Sequence, residues 1–191
     1  SLLRTRKISQ QMFDLIAVDR ECNVRSVMAQ VGVLLSSEEI QTAAFEGFNP
    51  DSDRMLGALG YFDLMEAYAS RKLMERRDEI MPMVRAGQIN TLLIGEYKKV
   101  LTGERLESAY AYQWCFAAIQ RQYEKELIPL YEEFKHTYPN SPYLAAMQGY
   151  YEEICAFHAP KNLSDDIQFM TDTEDISTME ALLSRFAGKK V

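Results

Sequence analysis

The sequence predicts an all-α fold: a multi-helix bundle of six or seven helices, followed by a short C-terminal β-α-β fragment. Three observations carry that expectation. Apolar residues recur at steps of three and four up to about residue 160, the signature of helices with one buried stripe. Caps, prolines at first helical positions and the turn Tyr138-Pro-Asn-Ser-Pro142 punctuate this part. The last stretch reads differently: Asp166-Ile-Gln-Phe-Met170 is a short extended apolar run, Ser177-Thr-Met-Glu180 opens a short helix, and Gly188-Lys-Lys-Val191 begins another apolar segment. The expected division is a helical domain over 1–163 and, over 164–191, a linker and the truncated start of an α/β domain.

The N-terminal stretch carries Ile8, Met12, Leu15, Val27, Val31 and Leu34 at helical spacing, with an interruption expected around Asn23. Ser36-Ser-Glu-Glu39 is a capping box, in which the serine accepts from the third helical N–H and the glutamate reaches back; the helix it starts should stop near Gly47. Asn49-Pro50 restarts the chain, with Asn as N-cap, Pro at the first helical position and Asp51 and Asp53 at the positive end of the helix dipole. Leu56, Leu59, Phe62 and Leu73 then line a helix predicted to run to Pro82.

A further helix is predicted over 88–101, closed by Thr102-Gly103. Beyond it, Ala109, Tyr112, Phe116, Ile119, Tyr123, Leu127, Leu130 and Phe134 form one apolar stripe along a long helix that Pro129 should kink or divide. Ser141 caps and Pro142 begins the last helix, whose apolar face is Leu144, Met147, Tyr151, Ile154 and Phe157. The methionines Met55, Met65, Met74, Met81 and Met83 read as irregular core filling. Trp114, Tyr110, Tyr112, Tyr150 and Tyr151 fit a core or a concave aromatic groove equally well.

Composition excludes several function classes. The chain of 191 residues is 47% hydrophobic and 26% charged, with a net charge of −7. Its only basic run, Arg4, Arg6 and Lys7, is too short for the footprint that neutralises phosphates, so nucleic acid is not an expected partner. No run of 18 apolar residues occurs that could span a membrane. Ser1 is read as a processing boundary, and no leader indicates a compartment.

The search for chemistry returns no catalytic, cofactor-binding or metal-binding residue. Cys22, Cys115 and Cys155 form no C-x-x-C, which removes a redox dithiol and a zinc knuckle. In a hairpin folded near Pro139, Cys155 falls several residues out of register with Cys115, so free thiols are expected. Glu133-Phe-Lys-His136 has the Glu-x-x-His spacing of di-iron bundles but no second copy, and reads as a helix C-terminus. Gly57-Ala-Leu-Gly60 lacks the Lys-Ser/Thr of a phosphate loop and reads as close helix packing. Asp165, Asp166, Asp172, Glu174 and Asp175 lack a calcium loop's central glycine and read as a solvated linker.

Phe134-Lys-His-Thr-Tyr-Pro-Asn-Ser-Pro-Tyr143, Ile167-Gln-Phe-Met170 and the segment from Ile176 to Gly188-Lys-Lys-Val191 resemble the lead into the redox domain of TlpA/ResA-type thioredoxin-like proteins. The resemblance covers about the last sixty residues. It implies a strand after Gly-Lys that delivers a Trp-Cys-x-x-Cys motif, which this sequence does not contain, so no catalytic residue is carried over. It further implies a thiol-disulfide oxidoreductase, periplasmic or membrane-anchored facing the periplasm. The present chain would be that enzyme's helical accessory region, without redox activity of its own. Its partners would be substrate or partner proteins and its own C-terminal thioredoxin-like domain. The alternative is a helical-repeat module, since Tyr138-Pro-Asn-Ser-Pro142 also resembles junctions between tetratricopeptide-type helix pairs.

Overall fold

Helical spacing and punctuation become eight α-helices in the computed structural model, which describes residues 8–55 and 57–159. They are α1 (Gln10–Leu34), α2 (Glu38–Phe45), α3 (Gly60–Met74), α4 (Arg77–Arg85), α5 (Ile89–Val100), α6 (Gly103–Ile119), α7 (Glu124–Thr137) and α8 (Leu144–His158), with one 3₁₀ turn at Asp53–Met55. No strand occurs among the described residues. The all-helical bundle is as the sequence predicts. The expected β-α-β fragment lies outside the described residues.

The count rises to eight because two expected helices are divided. Between 50 and 82 the chain turns at Gly57, whose φ of +86° is left-handed, starts α3 only at Gly60, and breaks again at Arg76 (φ −123°, ψ 31°). The long helix after Gly103 ends at Ile119, and Arg121 and Tyr123 both take left-handed φ before α7 begins. Pro82 and Pro129 do not mark these breaks; both lie inside helices. Each frees only the carbonyl four residues back, that of Asp78 or Lys125, and these are exposed residues whose carbonyls water can serve.

The break at 120–123 also resets the buried stripe. Leu127, Leu130 and Phe134 are buried as expected, but Phe116, Ile119 and Tyr123 are exposed. In α6 the buried set is instead Ala109, Tyr110, Ala111, Gln113, Trp114, Ala117 and Ala118. Trp114 sits at the centre of the core and donates from Nε1 to the Leu127 carbonyl at 2.8 Å, while Tyr110 Oη donates to the Leu130 carbonyl at 2.9 Å. These bonds tie α6 to α7. Of the methionines, Met55 and Met65 fill core, Met81 and Met83 are half-buried, and Met74 is exposed.

Three helix starts are capped by carboxylates from other elements. Asp19 of α1 accepts from Gly60 N at 2.8 Å, at the start of α3. A Cβ on Gly60 would lie 2.8 Å from the Asn23 side chain, so close packing, not a phosphate loop, explains that glycine. Asp51 does not serve a helix begun at Pro50. It accepts from Thr102 N (3.0 Å), Thr102 Oγ1 (2.7 Å) and Arg105 Nε (2.7 Å) at the start of α6. The Arg105 bond foremost, then Thr102, holds the Asp51 carboxyl down to about 2. Buried Glu126 of α7 accepts from Asn90 N (2.9 Å), Asn90 Nδ2 (2.8 Å), Thr91 N (3.0 Å) and Thr91 Oγ1 (3.0 Å), satisfying the orphan donors of α5. Gln113 extends this buried network, donating to Asn90 Oδ1 and accepting from Tyr97 Oη.

Candidate functional site: the outer face of the first helix

α1 runs unbroken for 25 residues, through the position where an interruption is expected. Asn23 is absorbed because its Nδ2 donates to the Asp19 carbonyl at 2.9 Å, one turn back within the helix. Ser9 caps the start by accepting from Met12 N. At the far end Ser36 takes φ +51° and Ser37 N closes onto the Gly32 carbonyl at 2.8 Å. Ser37, not Ser36, then caps α2 by accepting from Ile40 N at 3.3 Å.

The face that α1 buries is its small one. Val18, Cys22, Ser26, Ala29 and Gly32 are the buried residues, and they let α2 and α3 approach closely. A Cβ on Gly32 would stand 2.9 Å from the Gln41 backbone nitrogen. Arg25 fastens α2 further, with Nη1 donating to the carbonyls of Ala44 (3.0 Å) and Glu46 (2.9 Å). Of the larger residues at helical spacing, Met12, Val27, Val31 and Leu34 are turned outward, and Leu15 packs against the core.

What remains outward is a regular apolar stripe. Phe13, Ile16, Arg20, Val24, Val27 and Val31, continued by the C-cap Leu35, follow steps of three, four and four, an eleven-residue repeat that keeps them on one side of the helix with a drift of only about 20° per repeat. The apolar members are 37–65% exposed, and neighbouring Val33 and Leu34 are exposed as well. With Met12 the stripe makes an exposed apolar face that runs the length of α1, unlike the singly scattered apolar residues of an ordinary surface. Arg20 is the only charge in the stripe, and it has no ion-pair partner among the described residues.

Beside the C-terminal half of this stripe lies a groove of about 1050 Å³ between α1 and α3, reaching Phe116 of α6. Val33, Leu34, Met74 and Phe116 give it an apolar rim. Asp63 and Glu66 line it without a cationic partner. Burial, and then Asp63, push the Glu66 carboxyl above its ordinary value. Glu38 and Arg71 also line the groove but are engaged with each other at 2.7 Å.

The thiols and histidines do not assemble into a reactive centre. All three cysteines are free. Cys22 is buried, its Sγ 3.7 Å from Met55 Sδ, while Cys115 and Cys155 are half-buried. Burial pushes both Cys22 and Cys115 up to about 11, opposite to the shift that activates a thiolate. Glu133 is engaged by Lys98 and by Tyr110 Oη, and His136 is exposed in the last turn of α7. His158 Nε2 lies 2.9 Å from Glu124 Oε2, joining the two ends of the α7–α8 pair. Among the described residues no group of three His, Cys, Asp or Glu is placed to hold a metal ion.

The aromatic residues divide between the two roles open to them. Trp114 and Tyr110 are core, Tyr112 stacks between Phe62 (4.3 Å) and Phe116 (6.1 Å), and Tyr151 stacks on Tyr131 at 4.0 Å. Tyr150 is exposed. No signal in the sequence singled out α1 as a surface, because its stripe has the same period as a buried one. Among the described residues no helix is long and apolar enough to cross a membrane. No protein-family profile, curated protein or solved structure matches this chain.

Proposed function

We propose that the chain is the helical accessory region of a periplasmic or membrane-anchored thioredoxin-like thiol-disulfide oxidoreductase, and that its own task is to hold proteins in place, not to exchange disulfides. The observation that carries the holding role is the uncovered apolar face of α1, which the fold leaves outward while burying small residues. The parentage rests on the sequence resemblance that ends at Gly188-Lys-Lys-Val191. The lack of intrinsic redox activity rests on thiols whose burial disfavours the attacking thiolate.

An insulin-reduction assay with dithiothreitol tests the redox part. The 191-residue chain is expected to give no rate above the reductant alone, and Cys22 is expected to stay unlabelled by a thiol reagent at neutral pH until the chain is unfolded. Catalysed precipitation of insulin by this chain counts against the reading.

A helical-repeat module is the second reading, and one observation favours it. α5 begins at Ile89 and α7 at Glu124, so the first helices of the α5–α6 and α7–α8 pairs recur after 35 residues (124 − 89), while the second helices recur after 41 (144 − 103). Against it, Glu126 and Leu127 of the second pair complete polar groups buried in the first. A chain truncated after Gln122 that still unfolds cooperatively, with its helix content intact, would favour the repeat.

A further inference from the structure

The groove between α1 and α3 carries negative charge that no cation of the fold offsets. We propose that it takes an apolar segment of a partner protein with one Arg at its end, the guanidinium seated against Asp63, Glu66 and the ring of Phe116. The inference rests on the holding role proposed above and names the chemistry of what is held.

Two helices build the cation site. Asp63 and Glu66 stand one turn apart on α3, as Tyr112 and Phe116 do on α6. Phe62, Tyr112 and Phe116 form a near-parallel stack, with interplanar angles of 9° and 8°. Its last ring, Phe116, is exposed and lines the groove together with both carboxylates. Asp63 and Glu66 also lie close enough to Tyr112 to add to the upward push that burial gives its hydroxyl. Burial, and then Asp63, already press the Glu66 carboxyl toward its neutral form, so a cation placed there would hold it charged. A guanidinium suits such a site better than an ammonium, because it can lie flat on a ring while its edge donates to carboxylates.

The other end of the groove sets what accompanies the cation. Met74 lies roughly 16 Å along α3 from Asp63, at ~1.5 Å per residue, and joins Val33 and Leu34 in an apolar rim. Arg71 stands at that end with Glu38 at 2.7 Å, so it offers no vacant carboxylate to a second cation. The groove therefore matches charge at one end followed by apolar side chains over about five residues of extended chain, at ~3.3 Å each. A lone amine would leave the apolar end uncovered, and an acidic segment would meet like charge.

Fluorescence anisotropy on the 191-residue chain tests this with three labelled, N-terminally blocked peptides. The first has one Arg followed by Leu, Leu and Phe at alternate positions; the others replace that Arg by citrulline or by Glu. The Arg peptide should bind about ten-fold more tightly than the citrulline peptide, which keeps the shape without the charge, and the Glu peptide should bind weakest. Glu66→Gln should weaken the Arg peptide by about ten-fold and leave the citrulline peptide unchanged, a pattern that general loss of structure would not give. Equal affinity for Arg and citrulline peptides, indifference to Glu66→Gln, or no binding overturns the inference. Binding that is lost in Val27→Lys but not in Glu66→Gln would place the partner on the α1 stripe, overturning the inference and keeping the holding role. Arginine amide that binds as tightly as the Arg peptide would mean a small-molecule site and overturn the holding role as well.

Discussion

Glu126→Ala is expected to lower stability by about 3 kcal/mol, because it strips the cap from α5 and leaves polar groups buried without partners. Glu126 receives four hydrogen bonds from Asn90 and Thr91, and Asn90 is itself buried. For a chain of this size the loss corresponds to a fall of roughly 6–12 °C in Tm. Glu126→Gln should cost less, since it keeps the shape and one accepting oxygen but turns an amide donor toward Thr91. Calorimetry of the three proteins orders them wild type, Gln, Ala. An alanine variant with unchanged Tm would mean that α5 does not need its cap from α7.

Opposite signs are expected for alanine at two helical glycines. Gly32 faces Gln41, where a new Cβ would meet Cγ at 2.6 Å and the backbone nitrogen at 2.9 Å. The backbone of α2 cannot yield as a side chain tip could, so Gly32→Ala forces α1 and α2 apart. That overpacking costs about 1–3 kcal/mol and outweighs a gain of up to ~1 kcal/mol in helix propensity. Gly149 in α8 has open space around its Cα, and Gly149→Ala should raise stability by about 0.5–1 kcal/mol. Denaturant midpoints for the pair check the sign as well as the size.

The parts of the fold that could be read in advance are those fixed by neighbours in sequence. α5 falls at 89–100 against an expected 88–101, and the Tyr138–Pro142 turn, the stop at Gly47 and the break at Thr102-Gly103 are where their residue types require them. Positions fixed from a distance were not legible. Asp51, Asp19 and Glu126 cap helices 51, 41 and 36 residues away, and no local pattern distinguishes such a carboxylate from a solvated one. The left-handed Arg121 and Tyr123 carry no glycine or proline to announce them.

The candidate site was illegible for a related reason. Periodicity shows that a helix has an apolar stripe but not whether the stripe faces its own core. In α1 two stripes compete, one of Val18, Cys22, Ser26, Ala29 and Gly32, the other of Phe13, Ile16, Val24, Val27 and Val31. Hydropathy favours the second. Close packing against α2 and α3 selects the first, because only small side chains fit between those backbones. The larger stripe is left facing water, and the proposed holding role rests on that surface.

Urea denaturation of a Val24→Lys, Val27→Lys, Val31→Lys triple variant beside Ala29→Lys, at protein concentrations low enough to keep both monomeric, addresses this directly. With the large stripe outward, the triple variant should unfold within about 1 kcal/mol of the wild-type monomer, since surface lysines suit a helix. Ala29→Lys should lose about 3 kcal/mol or more by forcing a charge between α1 and its neighbours. A triple variant as unstable as Ala29→Lys would place Val24, Val27 and Val31 in the core and remove the surface on which the functional reading stands.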